Sequence, residues 1–254
     1  MDLLELKSVQ TESFIRHPWE IARARIVLNF INKRIKSPKA IVDIGSGDAF
    51  IAGSVAKEYP QTTVTAIDIN YTKDDLTVLT INKPGNLYYF SDIDSIEKNP
   101  YPIDVILLMD VLEHIEKPGS FINTIKNLNP VSNTTGFFIT VPAFQQLFSK
   151  HDKELGHYKR YSRKELISLL TSNGFRIKES GYFFNNLVLI RGFQKLFNSN
   201  PKSHSLYHWK AGKLFTSLIT TLFWMEFKIS WYLSRIRIYL PGLTCYCICY
   251  PLPS

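Results

Sequence analysis

With 254 residues, 45% apolar and 20% charged, the chain is long enough to bury about three-quarters of its surface. That excludes a disordered tail, a collagen-like repeat and a disulfide-stapled mini-fold. Three cysteines are too few for a disulfide framework. The start, Met1-Asp2-Leu3-Leu4-Glu5, has neither the basic flank nor the apolar run of an export signal, so a reducing, cytoplasmic setting is expected.

The charge is uneven. Residues 1–150 hold 15 Lys and Arg against 17 Asp and Glu, whereas residues 151–254 hold 15 against five. Beyond Tyr182, Glu226 is the single acid among eight basic residues, in a stretch with close to half of the aromatic side chains. Such a segment faces either an anionic partner or simply water.

In chain order, Glu12 to Ile35 reads as a helix, because Ile21, Val27, Leu28, Ile31 and Ile35 recur near the 3.6 period. Short apolar runs then alternate with helical stretches. Strands are expected at Ala40–Ile44, Thr63–Ile69, Leu87–Phe90, Asp104–Met109 and Gly136–Val141. Helices are expected up to Ala56, around Val111–Ile115 and over Gly119–Leu128. Near-continuous Val/Ile/Leu runs between helices predict βαβ units and an α/β, doubly wound, mostly parallel, seven-stranded sheet. Ser162 and Glu165 form a capping box, and Gly174 stops the helix that follows. Residues 183–240 read as an apolar, basic helical insertion whose uncharged run, Leu214 to Met225, is too short for a membrane span. Thr244 to Tyr250 reads as a closing strand with Cys245, Cys247 and Cys249 on one face. The expected organisation is a helical cap over 1–38, a core over 39–182, the insertion over 183–240 and the closing strand over 241–254.

The most specific motif is Asp43-Ile44-Gly45-Ser46-Gly47-Asp48-Ala49, a strand running into a tight turn of small residues before a helix N-terminus. Phe50 stands where a dinucleotide fingerprint needs Gly or Ala, and no Lys-Ser/Thr follows for a phosphate loop. Asp68 ends the second strand, Asp92 follows the third, and Met109-Asp110 ends the fourth. All lie at the carboxyl edge where open α/β sheets bind ligands.

This series resembles the class I S-adenosylmethionine-dependent methyltransferases. The flanks Glu12–Arg25 and His151–Leu166 look like a bacterial subgroup acting on small molecules. The resemblance implies a Rossmann-like methyltransferase fold with S-adenosyl-L-methionine as cofactor. It would place Asp43, Gly45, Ser46 and Gly47 at the methionine end and Asp68 at the ribose. Ile69, Asp92 and Ile93 would meet the adenine, and Met109 would lie beside the sulfonium. Ala49 departs from the pattern, which commonly has a third glycine there. Trp19 and Arg23, on consecutive helical turns, would close over the cofactor.

The loop after the fifth strand sits at the same edge. It offers His151 and His157 as bases, Tyr158 against a substrate, and Lys159 and Arg160 as anion anchors. Asp110, Glu113 and His114, at i, i+3 and i+4, resemble the Glu-x-x-Glu-His ligand set of ubiquinone-pathway O-methyltransferases; the expectation is no bound metal, with Asp110 and His114 kept as catalytic candidates beside His157. Three functions remain open: methyl transfer to a small-molecule acceptor (an apolar or anionic metabolite or a lipid- or sugar-linked intermediate), a non-catalytic nucleoside-binding scaffold, and an RNA methyltransferase. No RNA-binding motif or Asn/Asp-Pro-Pro-Tyr/Phe signature is seen, so a nucleic-acid partner is not favoured. The insertion, where Leu214, Leu218, Leu222 and Met225 recur at helical spacing, is expected to form an apolar pocket over the substrate, rimmed by Lys210, Lys213, Lys228, Arg235 and Arg237. Peripheral contact with the inner face of a membrane is a further expectation. The oligomeric state is left open.

Overall fold

A computed structural model of the chain describes residues 16–81, 83–196, 209 and 211–253. Helix α1 (Pro18–Arg34) begins where Pro18 occupies the first turn and the His17 ring accepts the Trp19 N–H. The helix expected from Glu12 therefore starts later: residues 16 and 17 are not helical, and residues 12–15 lie outside the described residues.

Seven strands form one sheet: β1 (Ala40–Ile44), β2 (Thr63–Ile67), β3 (Leu87–Phe90), β4 (Val105–Met109), β5 (Gly136–Pro142), β6 (Phe175–Phe183) and β7 (Thr244–Pro251). Their order is β3-β2-β1-β4-β5-β7-β6. β1 to β5 run parallel, and β7 inserts antiparallel to both β5 and β6. β1 and β4 are buried along their whole length, as parallel strands covered on both faces must be. The strand order reverses between β1 and β4, and the carboxyl ends of these two strands are the usual place for a ligand.

Among the described residues the remaining α-helices are α2 (Phe50–Glu58), α3 (Lys73–Thr80), α4 (Pro118–Lys126), α5 (Lys150–Glu154), α6 (Arg163–Ser172), α7 (Asn185–Leu196) and α8 (Lys213–Arg235). α1, α2 and α8 cover one face of the sheet, where Phe30 meets Phe138 at 4.8 Å, Tyr246 at 5.4 Å and Phe227 at 5.6 Å between ring centroids. α4 and α6 cover the other face, with Ile122, Ile125, Leu166 and Leu170 fully buried against Cys245, Cys247 and Cys249. The Ser162–Glu165 capping box forms as expected.

Three elements differ from expectation. The second strand ends at Ile67, two residues early, because Asp68 turns its carboxylate back to the Gly47 N–H. The stretch after β4 is one 3-10 turn, Leu112–His114, not an α-helix. The third difference is in α8, which turns Thr216, Thr220, Phe223, Phe227, Ser230 and Trp231 inward. Leu214, Leu218, Leu222 and Met225, expected to line a pocket, face outward instead. Small hydroxyl residues let α8 lie close on α1, where the Thr220 hydroxyl donates to the Pro18 carbonyl, and aromatic residues fill the gap to the sheet. Lys228 is drawn onto α1 at Asn29, and Lys210 lies outside the described residues.

Candidate active site

The site is built where β1 hands over to α2. The Gly45 and Ser46 N–H groups both donate to the Ile67 carbonyl, at 2.8 and 3.0 Å, which folds the turn onto the end of β2. Gly45 has φ +71°, and a Cβ there would lie 2.5 Å from the Val111 side chain, so the position requires glycine. Gly47, at φ +52°, donates its N–H to Asp68 Oδ2 at 2.9 Å. Ala49 also sits in the left-handed region, at φ +55°, where the family pattern would supply glycine. The Ser46 hydroxyl meets the Tyr71 hydroxyl at 2.7 Å.

Asp43 ends up almost fully buried, and its Oδ1 has no hydrogen-bond partner among the described residues. Burial, reinforced by the carboxylates of Asp48 and Asp68, pushes its pKa up to about 7. Asp68 is fixed by Gly47 and by the Asn70 N–H, while Ile69 beside it is 82% exposed. Asp92 caps the 3-10 turn Ile93–Lys98 by accepting the Ser95 N–H, so part of its expected role is local structure. Met109 is buried, with its sulfur 3.9 Å from the Thr140 hydroxyl.

Three side chains reach this edge from the N-terminal segment, Arg16 just before α1 and Trp19 and Arg23 on it. Arg16 pairs with Asp48 at 2.5 Å and lies over the Phe50 ring at 3.9 Å. Arg23 pairs with Asp110 at 2.5 Å, and Trp19 lies against the Arg23 guanidinium at 4.7 Å. Asp110 also accepts the Thr140 hydroxyl at 2.9 Å. The expected Asp110/Glu113/His114 face is therefore not formed: Asp110 has φ +56°, a 3-10 turn follows it, and its carboxylate is engaged by Arg23 and Thr140.

A different cluster assembles. Ligand atoms of Glu113, His114 and His157 all lie within 4.8 Å of one another, and the two imidazoles meet edge to face at 4.6 Å. Glu113 is fully buried with both carboxylate oxygens unpartnered among the described residues; burial and then Asp110 push its pKa well above the usual range. His157 Nδ1 lies 3.0 Å from Asp152 Oδ1. Arg160 grips Asp152 with two nitrogens, at 2.7 and 3.1 Å. Burial works to raise the Asp152 pKa, but hydrogen bonds from His157 and Arg160 outweigh it and hold the carboxyl well below the usual range. Arg160, expected to anchor an anion, thus spends its charge on Asp152. His151 lies on α5 beside Asp152 but does not enter these bonds, and Tyr158 is 59% exposed.

Arg16, Thr140 and Asp152 were not singled out in the sequence. Asp152 had a readable signal, because Ser149 and Asp152 form a capping box. Arg16 and Thr140 had none, since their partners lie about thirty residues away.

The model of a methyltransferase domain matches residues 16–180. The chain belongs to this methyltransferase family; it is a class I S-adenosylmethionine-dependent methyltransferase, and S-adenosylmethionine is its cofactor. A ubiquinone biosynthesis O-methyltransferase of Rickettsia typhi is 26% identical over 220 residues, covering 80% of this chain and 83% of that protein. Its counterpart in Yersinia enterocolitica is 31% identical over 93 residues, covering 35% and 38%. Among solved structures, the plantazolicin methyltransferase BpumL in complex with SAH superposes with a TM-score of 0.55 at 16% identity, covering 93% of this chain and 85% of that one. Coclaurine N-methyltransferase bound to N-methylheliamine and SAH superposes with a TM-score of 0.55 at 14% identity, covering 95% and 76%. These last two share the fold.

Proposed function

We propose that the chain methylates a hydroxyl oxygen of a small molecule with an apolar portion, using His157 as the base. The observation that carries this reading is the Arg160–Asp152–His157 chain beside the end of β4. Asp152, held as a carboxylate, accepts a hydrogen bond from the Nδ1–H and so fixes the ring and its tautomer, which leaves Nε2 to accept a proton from substrate.

The residues present suit the cofactor. The orphaned oxygen of Asp43 can accept from an ammonium, and the Gly45-Ser46-Gly47 turn brings backbone close to a ligand. Asp68 can accept ribose hydroxyls while keeping the Gly47 N–H. Ile69 offers an uncovered apolar face for adenine, with Asp92 and Ile93 beyond. When bound, the cofactor supplies an activated sulfonium methyl. The chain then has to align the acceptor oxygen, exclude water and take the hydroxyl proton onto His157 as the oxygen–carbon bond forms. Trp19 and Arg23 would close the mouth from α1. The O-methyltransferase names of the Rickettsia and Yersinia relatives point the same way.

Methyl transfer from labelled cofactor to a panel of phenols, catechols and amines tests this reading. His157→Ala should lower kcat on hydroxyl acceptors by about 10²-fold or more, with cofactor affinity unchanged. An unchanged kcat, or transfer confined to amines, would overturn it.

A second reading rests on Glu113, whose two buried oxygens have no partner among the described residues and one of which lies within 4.8 Å of ring nitrogens of His114 and His157. There a divalent cation would lower the pKa of a bound acceptor oxygen. Loss of activity on chelation, restored by one added divalent metal, would favour it.

A further inference from the structure

The outward side of α8 is apolar along its length. Leu214, Leu218, Leu222, Met225, Ile229 and Tyr232 follow one another at three- and four-residue steps; Leu214 is 90% exposed and the other five between 49% and 61%. From first to last the stripe spans about 27 Å. An uncovered stripe of this size marks an interaction surface. Among the described residues no helix is long and apolar enough to cross a membrane.

Charge selects what covers the stripe. The single acid of α8, Glu226, turns away to accept the Asn185 and Asn186 N–H groups at the start of α7. Lys213 opens the helix, Arg235 closes it and Arg237 follows, all three exposed. Both ends are basic. Pairing with a second copy, parallel or antiparallel, would bring like charges together, whereas an anionic lipid surface complements both ends.

We propose that α8 is an interfacial helix that seats the chain on an anionic lipid bilayer, its apolar stripe among the acyl chains and Lys213, Arg235 and Arg237 at the headgroups. The start of α8 is linked to the site by a relay of side-chain contacts. Trp209 stacks near Phe215 and lies 5.0 Å from His17, which lies 5.9 Å from Trp19; Trp19 covers Arg23, which holds Asp110. An acceptor dissolved in the bilayer would meet this aromatic edge first. The membrane assignment does not depend on which atom is methylated.

Vesicle flotation of the full chain at low salt tests it. The chain should float with phosphatidylcholine–phosphatidylglycerol vesicles and stay behind with phosphatidylcholine alone. Leu222→Glu with Met225→Glu, and separately Lys213→Glu with Arg235→Glu, should each cut the bound fraction about tenfold or more. S-adenosylhomocysteine affinity, unchanged in both pairs, would show that they remain folded and that the methyltransferase site is intact. Three results would overturn the proposal: no flotation with the anionic vesicles, flotation undiminished by the Leu222 and Met225 pair, or a dimer in sedimentation that this pair dissolves.

Discussion

Arg23 of helix α1 and Asp110 at the end of β4 form an ion pair of 2.5 Å that ties the N-terminal helix to the ligand edge of the sheet. Thr140 holds the other oxygen of Asp110, and Trp19 covers the guanidinium. Removing the arginine leaves a largely covered carboxylate with one partner fewer, a loss of about 1–2 kcal/mol. Arg23→Ala should therefore weaken S-adenosylhomocysteine binding about tenfold while the fold survives, as read by calorimetry and circular dichroism. Unchanged affinity would return α1 to a packing role.

Asp43 predicts how cofactor binding responds to pH. Its carboxyl, pushed up to about 7, must be ionised to hold an ammonium. Affinity should be level above pH 7 and fall by up to about tenfold per unit below it. Asp43→Asn should bind weakly at pH 8 and lose the slope. Titrations at pH 5.5 to 8.5 that show no slope in the parent chain would contradict this.

Two small residues of the turn predict opposite signs. Gly45→Ala meets both a left-handed φ and the Val111 side chain, and should cost at least about 1–3 kcal/mol. Ala49→Gly relieves a left-handed alanine, and should raise stability by up to about 1 kcal/mol. Thermal melts of the two variants measure both.

Glu226 predicts a pH-dependent stability. Burial raises its pKa to about 7, against 4.5 for the free side chain, with the Asn186 N–H opposing the shift. Between those values the folded state binds more protons than the unfolded one, so this contribution is lost as pH rises through 7. Glu226→Gln keeps an acceptor for the Asn185 and Asn186 N–H groups and removes the charge. It should melt higher than the parent at pH 8 and no higher at pH 5. A lower melting point at pH 8 would mean that the carboxylate's attraction to the α7 N-terminus outweighs its burial.

Periodicity and turn chemistry carried most of the fold. The buried runs of β1, β4 and β5, the glycine turn after Asp43 and the capping box at Ser162 are local patterns, and each stands where it was read. The face of α8 was misread because Thr216, Thr220 and Ser230 count as polar, although close approach to a neighbouring helix favours small residues there. The candidate site was legible as placement: Asp43, Asp68 and Met109 stand at the ends of β1, β2 and β4, where they were read. It was not legible where tertiary contact decides: spacing put Asp110 beside Glu113 and His114 as possible ligands, with no metal expected, and only the folded chain gives Asp110 to Arg23 and brings His157 to the other two.

The most direct test is calorimetric titration of the folded chain with S-adenosylhomocysteine, beside Asp68→Ala. Asp68 holds the Gly47 N–H and, in the proposed reading, would accept the ribose hydroxyls, so its loss should weaken binding by about 1–3 kcal/mol, roughly 5- to 150-fold. Saturable binding by the parent chain, weakened by that factor in the variant, is the predicted result. Equal affinity in both, or no heat from the folded parent chain, would contradict the assignment of the turn after β1 as the cofactor site.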